Sequence, residues 1–243
     1  MSFLKAEWKY LAMANFEVNP HLLERYIPKG TFLDFWRGRC YVSLVGFMFI
    51  NTRLLGLKIP FHINFEEVNL RFYVKYYHNQ QWKRGVVFIK EIVPKKALTF
   101  IANTVYHENY ETMPMKHLWE ESVDKKTIQY SWNKNGDWQS MTVESEKIGK
   151  DIEPDSEEEF ISEHYWGYTR ANDQKTYEYE VTHPRWKIYK ILNYNISVDF
   201  ELVYGNNFKN LNYAAPQSVM LAEGSKIKVE KKRVIKPFSS YCL

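Results

Sequence analysis

The stretch Asn64-Phe65-Glu66-Glu67-Val68-Asn69-Leu70-Arg71-Phe72-Tyr73-Val74 concentrates more chemistry than any other part of the chain. Read as a strand, it sorts Glu67, Asn69, Arg71 and Tyr73 onto one face and Val68, Leu70, Phe72 and Val74 onto the other, because successive side chains point to opposite sides of a sheet. Such a polar row is either the solvent face of a half-buried strand or the lining of a barrel interior. Glu67 and Arg71 lie about 13 Å apart along a strand at ~3.3 Å per residue, too far to satisfy one another. On an inward face each charge therefore needs a partner from another strand, a water or a ligand, since an unpaired buried charge costs several kcal/mol. An inward Arg71 would hold an anion in its bidentate fork, and Glu67 would serve as a proton-transfer group.

Elsewhere the chain lacks the local patterns that mark common chemistries. Its seven histidines, His21, His62, His78, His107, His117, His164 and His183, show no HxH or HExxH spacing, so neither a metal nor a cofactor is expected. There is no GxGxxG, Walker loop or GxSxG elbow, and no local support for a serine or cysteine nucleophile. Two cysteines, Cys40 in an apolar run and Cys242 near the C-terminus, cannot build a disulfide framework or a CxxC knuckle. From Lys226 to Lys236 six basic residues stand against one acid, Glu230. Ile227 and Val229 alternate within that run, which reads as a basic solvent-facing strand, with nucleic-acid contact a remote alternative. The net charge of +4, from 33 Lys plus Arg and 29 Asp plus Glu, is too small to imply a polyanionic or membrane partner.

The elements that must position these groups are mostly strands. The chain has 243 residues, 45% of them hydrophobic, with 18 Tyr, 15 Phe and 8 Trp. A chain of this length buries roughly 70–75% of its unfolded surface without disulfides. Period-two alternation marks Trp8, Tyr10, Ala12, Ala14 and Phe16, then Gly38 to Ile50, Gly85 to Ile92, and Ile196, Val198, Phe200, Leu202 and Tyr204. Asn135-Gly136 between two alternating runs predicts a hairpin with a type I′ turn.

Three short helices are expected. Asn19-Pro20 caps one over Leu22, Leu23 and Tyr26, and Pro94 opens another with Ala97, Leu98, Ile101, Ala102 and Val105 on one face. Ser156 with Glu159 forms a capping box ahead of Phe160, Ile161, Tyr165 and Tyr168. Six of the nine residues from Asp151 to Glu159 are acidic, which reads as a solvated surface connection near 150–159 within a single domain spanning 1–243. Charges near the N-terminus, in Met1-Ser2-Phe3-Leu4-Lys5-Ala6-Glu7-Trp8-Lys9, leave no apolar signal region, and a cytoplasmic location is expected. The apolar run from Cys40 to Thr52 falls short of the ~20 residues of a membrane span and reads as a buried strand.

Several segments together resemble the YqjF-like family, uncharacterised bacterial proteins of the acetoacetate decarboxylase superfamily. They are Leu33-Asp34 through Gly38-Arg39 with Tyr41 to Phe47, Phe65 to Val74, Gly85 to Phe88, Tyr106 to Tyr110, Tyr165-Trp166-Gly167-Tyr168 and His183-Pro184-Arg185-Trp186. The resemblance implies a mainly antiparallel β-barrel or cone with about three flanking helices, of the α+β class, enclosing a polar, aromatic-rich pocket. It implies Glu67, Asn69, Arg71 and Tyr110 as ligand-binding residues and Glu67 or Tyr110 as catalytic candidates. Decarboxylating members of the superfamily use a Schiff-base lysine, its pKa lowered by its site. Here Tyr110 and Glu111 stand where that lysine pair falls, Asn103 replaces a common Arg, and Glu108-Asn109 replaces a common Leu-Pro. Only Lys116 is placed to reach in, since Lys95 and Lys96 are expected on the solvated side of a helix. The expectation is a protein that binds a small organic ligand, an anion or carboxylate among the candidates. The alternative is an enzyme acting on a carbonyl or carboxylate compound without imine chemistry.

Overall fold

The computed structural model describes residues 2–235, so Lys236 and Cys242 lie outside the described residues. Strands dominate: β1 (Leu4–Glu17), β2 (Phe32–Leu33), β3 (Tyr41–Leu54), β4 (Phe65–His78), β5 (Gln81–Val93), β6 (Tyr110–Thr112) and β7 (Met115–Glu121) form the first half. The second half contributes β8 (Lys125–Lys134), β9 (Asp137–Asp151), β10 (Trp166–Asn172), β11 (Lys175–Thr182), β12 (Lys187–Ser197), β13 (Ser218–Val229) and β14 (Arg233–Val234). Three one-turn helices, α1 (Lys96–Ile101), α2 (Glu157–Ser162) and α3 (Phe200–Tyr204), interrupt them. The mainly antiparallel β class expected from the sequence holds.

All the described strands belong to one sheet, and part of it closes on itself. The order β11-β10-β5-β4-β3-β1-β13 returns to its start because Val181 and Thr182 of β11 pair with Val229 and Lys228 of β13. Beyond β13 the sheet continues through β12, β9, β8 and β7 as an antiparallel extension. This extension folds back over the outer face of the ring, so β1, β3 and β4 are buried on both sides. Outward, Val42, Leu44, Leu70 and Phe72 pack with Tyr130, Trp132 and Val143 of the extension. Inward, Val45, Phe47, Phe49 and Phe65 pack with Met13, Phe160 and Trp186. Gly46 marks the close approach of the layers, because a Cβ there would stand 2.8 Å from the Tyr130 ring.

Local signals place several elements as read. The Asn135-Gly136 turn joins β8 to β9 with φ of 54° and 101°, the positive pair of a type I′ turn. Asn19 caps a 3-10 turn at Pro20–Leu22 by accepting from the His21 amide at 3.0 Å. Ser156 caps α2 by accepting from the Glu159 amide at 3.1 Å.

Other expectations need correction. The alternation from Ile196 to Tyr204 is not one strand: β12 ends at Ser197, and Asp199 caps α3 by accepting from the Leu202 amide at 3.0 Å. Phe200, Val203 and Tyr204 are the buried residues of that turn, the i, i+3, i+4 spacing of a helix face. Helix α2 ends at Ser162, so Tyr165 and Tyr168 are not on it, and Tyr168 lies on β10. On β1 a bulge at Tyr10, with φ of 50°, shifts the alternation between Lys9 and Ala12. Trp8 consequently faces the interior while Ala12, Ala14 and Phe16 face the outer layer. The acidic stretch is exposed at Glu153 to Asp155, but Ile152 is buried and Glu157 accepts from the Tyr41 hydroxyl at 3.1 Å and from Ser218. It is stitched to the ring and delivers α2 to it.

Candidate functional site

The ring holds a cavity of about 210 Å³. Its apolar walls come from Trp8, Phe47, Phe49, Phe65, Phe88 and Trp186. Leu54 at the end of β3 and Ile59 and His62 of the β3–β4 connection, with Leu98 and Ile101 of α1, line it from another side. Glu67, Asn69 and Arg71 of β4 all line the cavity, and they are 3%, 1% and 8% exposed. The polar row read from the sequence is therefore internal, and Tyr73 completes it by hydrogen bonding Ser43 at 2.7 Å. Tyr110 joins them from β6, which pairs in parallel with β5.

Local backbone features aim these groups. A bulge in β5 opposite Leu70 and Arg71 lets Lys90 pair with Leu70 and Phe88 with Arg71. Val86 and Phe88 precede it on the inner face and Glu91 follows it there, whereas Lys90 turns outward to Glu111 at 2.8 Å. After α1 the chain makes a π turn over Ala102–Tyr106, closed by His107 at φ of 60°. Asn103 then clips β6, donating to the Tyr110 carbonyl at 2.9 Å and accepting from its amide at 2.8 Å. Between the turn and the clip, Glu108 enters the cavity.

Three carboxyl groups thus share one wall. Asn69 donates to Glu67 Oε1 at 3.0 Å and the Tyr110 hydroxyl donates to Glu67 Oε2 at 3.2 Å, lying beside Glu91 as well. Thr169 and Tyr179 donate to Glu108. Glu91 Oε2 and Asn69 Oδ1 have no hydrogen-bond partner. Burial pushes Glu67 up to about 7, with the Glu108 charge adding to it and Asn69, Tyr110 and Arg71 opposing. Burial likewise lifts Glu108 to about 7, against Thr169, Tyr179 and Lys232. Burial and then the charges of Glu108 and Glu67 hold Glu91 well above the usual carboxylate range. The wall retains protons near neutrality.

Arg71 is differently placed. Its Nη2 donates to the Ile161 carbonyl at 3.4 Å and lies 3.8 Å from Met13 Sδ, and its Nε has no partner. No carboxylate among the described residues pairs with it. His164 lines the same cavity and sits 3.3 Å through Nε2 from Asp34, which also pairs with Arg84 at 2.6 Å. Burial, reinforced by Arg84 and Arg71 and opposed by Asp34, holds His164 down at about 4, so it is neutral at neutral pH and donates to Asp34. Its Nδ1 is unpartnered. His183 stacks on Trp186, ring centroids 4.1 Å apart, at the cavity edge.

Among the described residues no lysine lines the cavity. Glu111 faces outward, to Lys90 and Lys134. Lys116 does not reach in, because its ammonium lies 4.3 Å over the Trp138 ring on the surface. In the basic C-terminal run, Arg233 pairs with Glu178 at 2.6 Å and Lys232 lies 3.8 Å over the Tyr177 ring. Among the described residues no three His, Cys, Asp or Glu side chains form a group that could hold a metal ion, and no helix is long and apolar enough to cross a membrane. Sequence reasoning brought together Glu67, Asn69, Arg71 and Tyr110 but missed Glu91, Glu108, Tyr179 and His164. Glu91 left one signal, a lone acid in the apolar run from Val86 to Val93.

A closed ring of mainly antiparallel strands around an inward polar row is the acetoacetate decarboxylase-like fold. The chain is similar to the acetoacetate decarboxylase of Legionella pneumophila, with a TM-score of 0.67 and 10% identity over 97% of this chain and 88% of that one. It is equally similar to the enduracididine biosynthesis enzyme MppR complexed with pyruvate, at TM-score 0.67 and 10% identity over 98% of this chain and 93% of the other. At such identities the likeness is one of fold. The chain belongs to DUF2071, the family described as uncharacterized conserved protein (COG2071), whose model matches residues 5–226. It is 28% identical to the uncharacterized protein YqjF of Bacillus subtilis over 187 residues, 75% of this chain and 74% of that one.

Proposed function

We propose that the cavity binds a small organic ligand by an anionic group, a carboxylate first of all, held by Arg71. The observation that carries this is Arg71, 8% exposed, with Nε unpartnered and no carboxylate of the described residues within ion-pair distance, in a cavity walled by aromatic rings. A buried cation left in that state is stabilised by an anion that supplies the missing acceptors. Pyruvate in the cognate fold of MppR is consistent with a ligand of this size and charge. A second reading, catalysis on a carbonyl compound, is favoured by Glu67 and Tyr110. A carboxyl titrating near 7 and hydrogen-bonded to a phenol is suited to move a proton at neutral pH. With no lysine among the described residues that line the cavity, such chemistry would proceed without an imine.

The test is a thermal-shift screen of small carboxylates, pyruvate included, followed by dissociation constants for the best binder on wild type, Arg71→Met and Arg71→Lys. Removing one partner of a buried charged pair costs ~2–5 kcal/mol, so Arg71→Met should weaken binding at least tenfold, and Lys should restore little because it lacks the fork. Equal affinities for folded wild type and Arg71→Met would eliminate the anion anchor. Glu67→Gln with turnover of a carbonyl compound as readout addresses the catalytic reading.

A further inference from the structure

An anion on Arg71 answers one part of the cavity and leaves the acidic wall unexplained. Three unfilled polar atoms of β4 and β5 sort by sign once Glu91 gives up its proton. Glu91 Oε2 and Asn69 Oδ1 are then acceptors without a donor, on side chains 3% and 1% exposed, whereas Arg71 Nε is a donor without an acceptor. Asn69 and Glu91 are directly opposite one another in the β4–β5 pairing, which brings their side chains to about 5 Å at the Cβ atoms. Arg71 follows Asn69 by two residues on the same face, roughly 7 Å along the strand. A ligand that completes these three atoms must offer a donor at Asn69 and Glu91 and an acceptor a few ångströms away.

We propose that the ligand is an amino-carboxylate, its carboxylate on Arg71 and its protonated amine received by Glu91, Asn69 and Glu67. This rests on the reading of Arg71 as the anion anchor. The donor is a cation because three buried carboxyl groups face it without an ion pair among the described residues. It is organic because those groups do not converge as a metal site does. The groups facing the amine site are Glu67 and Arg71 of β4, Glu91 of β5, Glu108 before β6, Tyr110 of β6 and Tyr179 of β11, with Lys232 acting on Glu108 from outside. In the empty cavity this wall keeps protons at neutral pH, as the raised positions of Glu67 and Glu108 reflect. Binding then exchanges charge: a carboxylic acid and R–NH3+ give a carboxylate paired with R–NH3+ and one released proton.

The experiment is calorimetry at pH 6.5 with alanine, β-alanine, γ-aminobutyrate and phenylalanine, each against the deaminated carboxylate of the same skeleton. It is repeated in phosphate and Bis-Tris, which both buffer at this pH and differ in ionisation enthalpy. The expected result is one amino-carboxylate binding at least tenfold more tightly than its deaminated partner, with release of close to one proton. Glu91→Gln, checked for folding by its melt, should erase that preference, and the proton count on wild type stands independently of any variant. Equal binding of both partners without proton release, weakened by Arg71→Met, would overturn the amine site and leave the anion anchor standing. Binding indifferent to Arg71→Met, or none by any carboxylate, would overturn both.

Discussion

Glu67 offers a quantitative test of the cavity that needs no ligand. The side chain is 3% exposed, and burial with the nearby Glu108 charge moves it from 4.5 to about 7. At about 1.4 kcal/mol per pH unit that difference amounts to roughly 3 kcal/mol. Between pH 4.5 and 7 the unfolded chain gives up this proton while the folded chain keeps it. The contribution is therefore fully present below 4.5 and lost as pH rises through 7. Glu67→Gln cannot ionise and should lack this slope. Its own cost, a Tyr110 hydroxyl that now meets an amide, is about 1 kcal/mol and the same at every pH. Urea denaturation of both proteins from pH 4.5 to 8 isolates the effect as the change in their difference. Wild type should lose about 3 kcal/mol relative to Gln, or roughly 6–12 °C in Tm for a chain of this size. The loss of the Glu67 charge also relieves Glu91, which acts in the same direction. Parallel stability curves would refute a carboxyl held protonated by burial in the cavity.

Three further outcomes follow from the same geometry. Asp34 feels burial first but is drawn down from 3.8 to about 2 by His164 and Arg84. Its stabilisation is present above 3.8 and lost as pH falls through 2, so Asp34→Asn should cost roughly 2 kcal/mol at pH 6 and converge with wild type near pH 2 in acid denaturation. Gly46→Ala drives a Cβ to 2.8 Å from the buried Tyr130 ring and should cost about 1–3 kcal/mol. Gly38→Ala, with open space but φ of 82°, should cost only about 1 kcal/mol, and chemical melts compare the two. Finally, borohydride with pyruvate or acetoacetate should leave the intact mass unchanged, and a stoichiometric adduct on a lysine would contradict a lysine-free cavity.

Local chemistry made much of the fold legible. Asn135-Gly136, the Asn19 and Ser156 caps and the alternation of Glu67 to Val74 each specify their conformation within a few residues, and neighbours only reinforce it. Where two periods fit the same residues, sequence could not choose. Ile196 to Tyr204 alternates, yet Phe200, Val203 and Tyr204 also make a helix face, and the Asp199 cap with Gly205 at φ of 96° decides for the helix. The site was read from one strand, so it contained that strand's residues and little from the others.

The sequence by itself determined that Glu67, Asn69 and Arg71 share a face, because a pleated strand allows no other arrangement. Which side that face meets was decided by closure of the ring, a pairing of β11 with β13 between segments distant in the chain. Tertiary structure also decided which charge enters. Continued alternation from Val86 and Phe88 would send Lys90 inward and Glu91 out. One bulged residue against Leu70 and Arg71 reverses them, giving the cavity an acid and sending the lysine to Glu111. A bulge depends on how two strands meet, and strand periodicity alone carries no record of it.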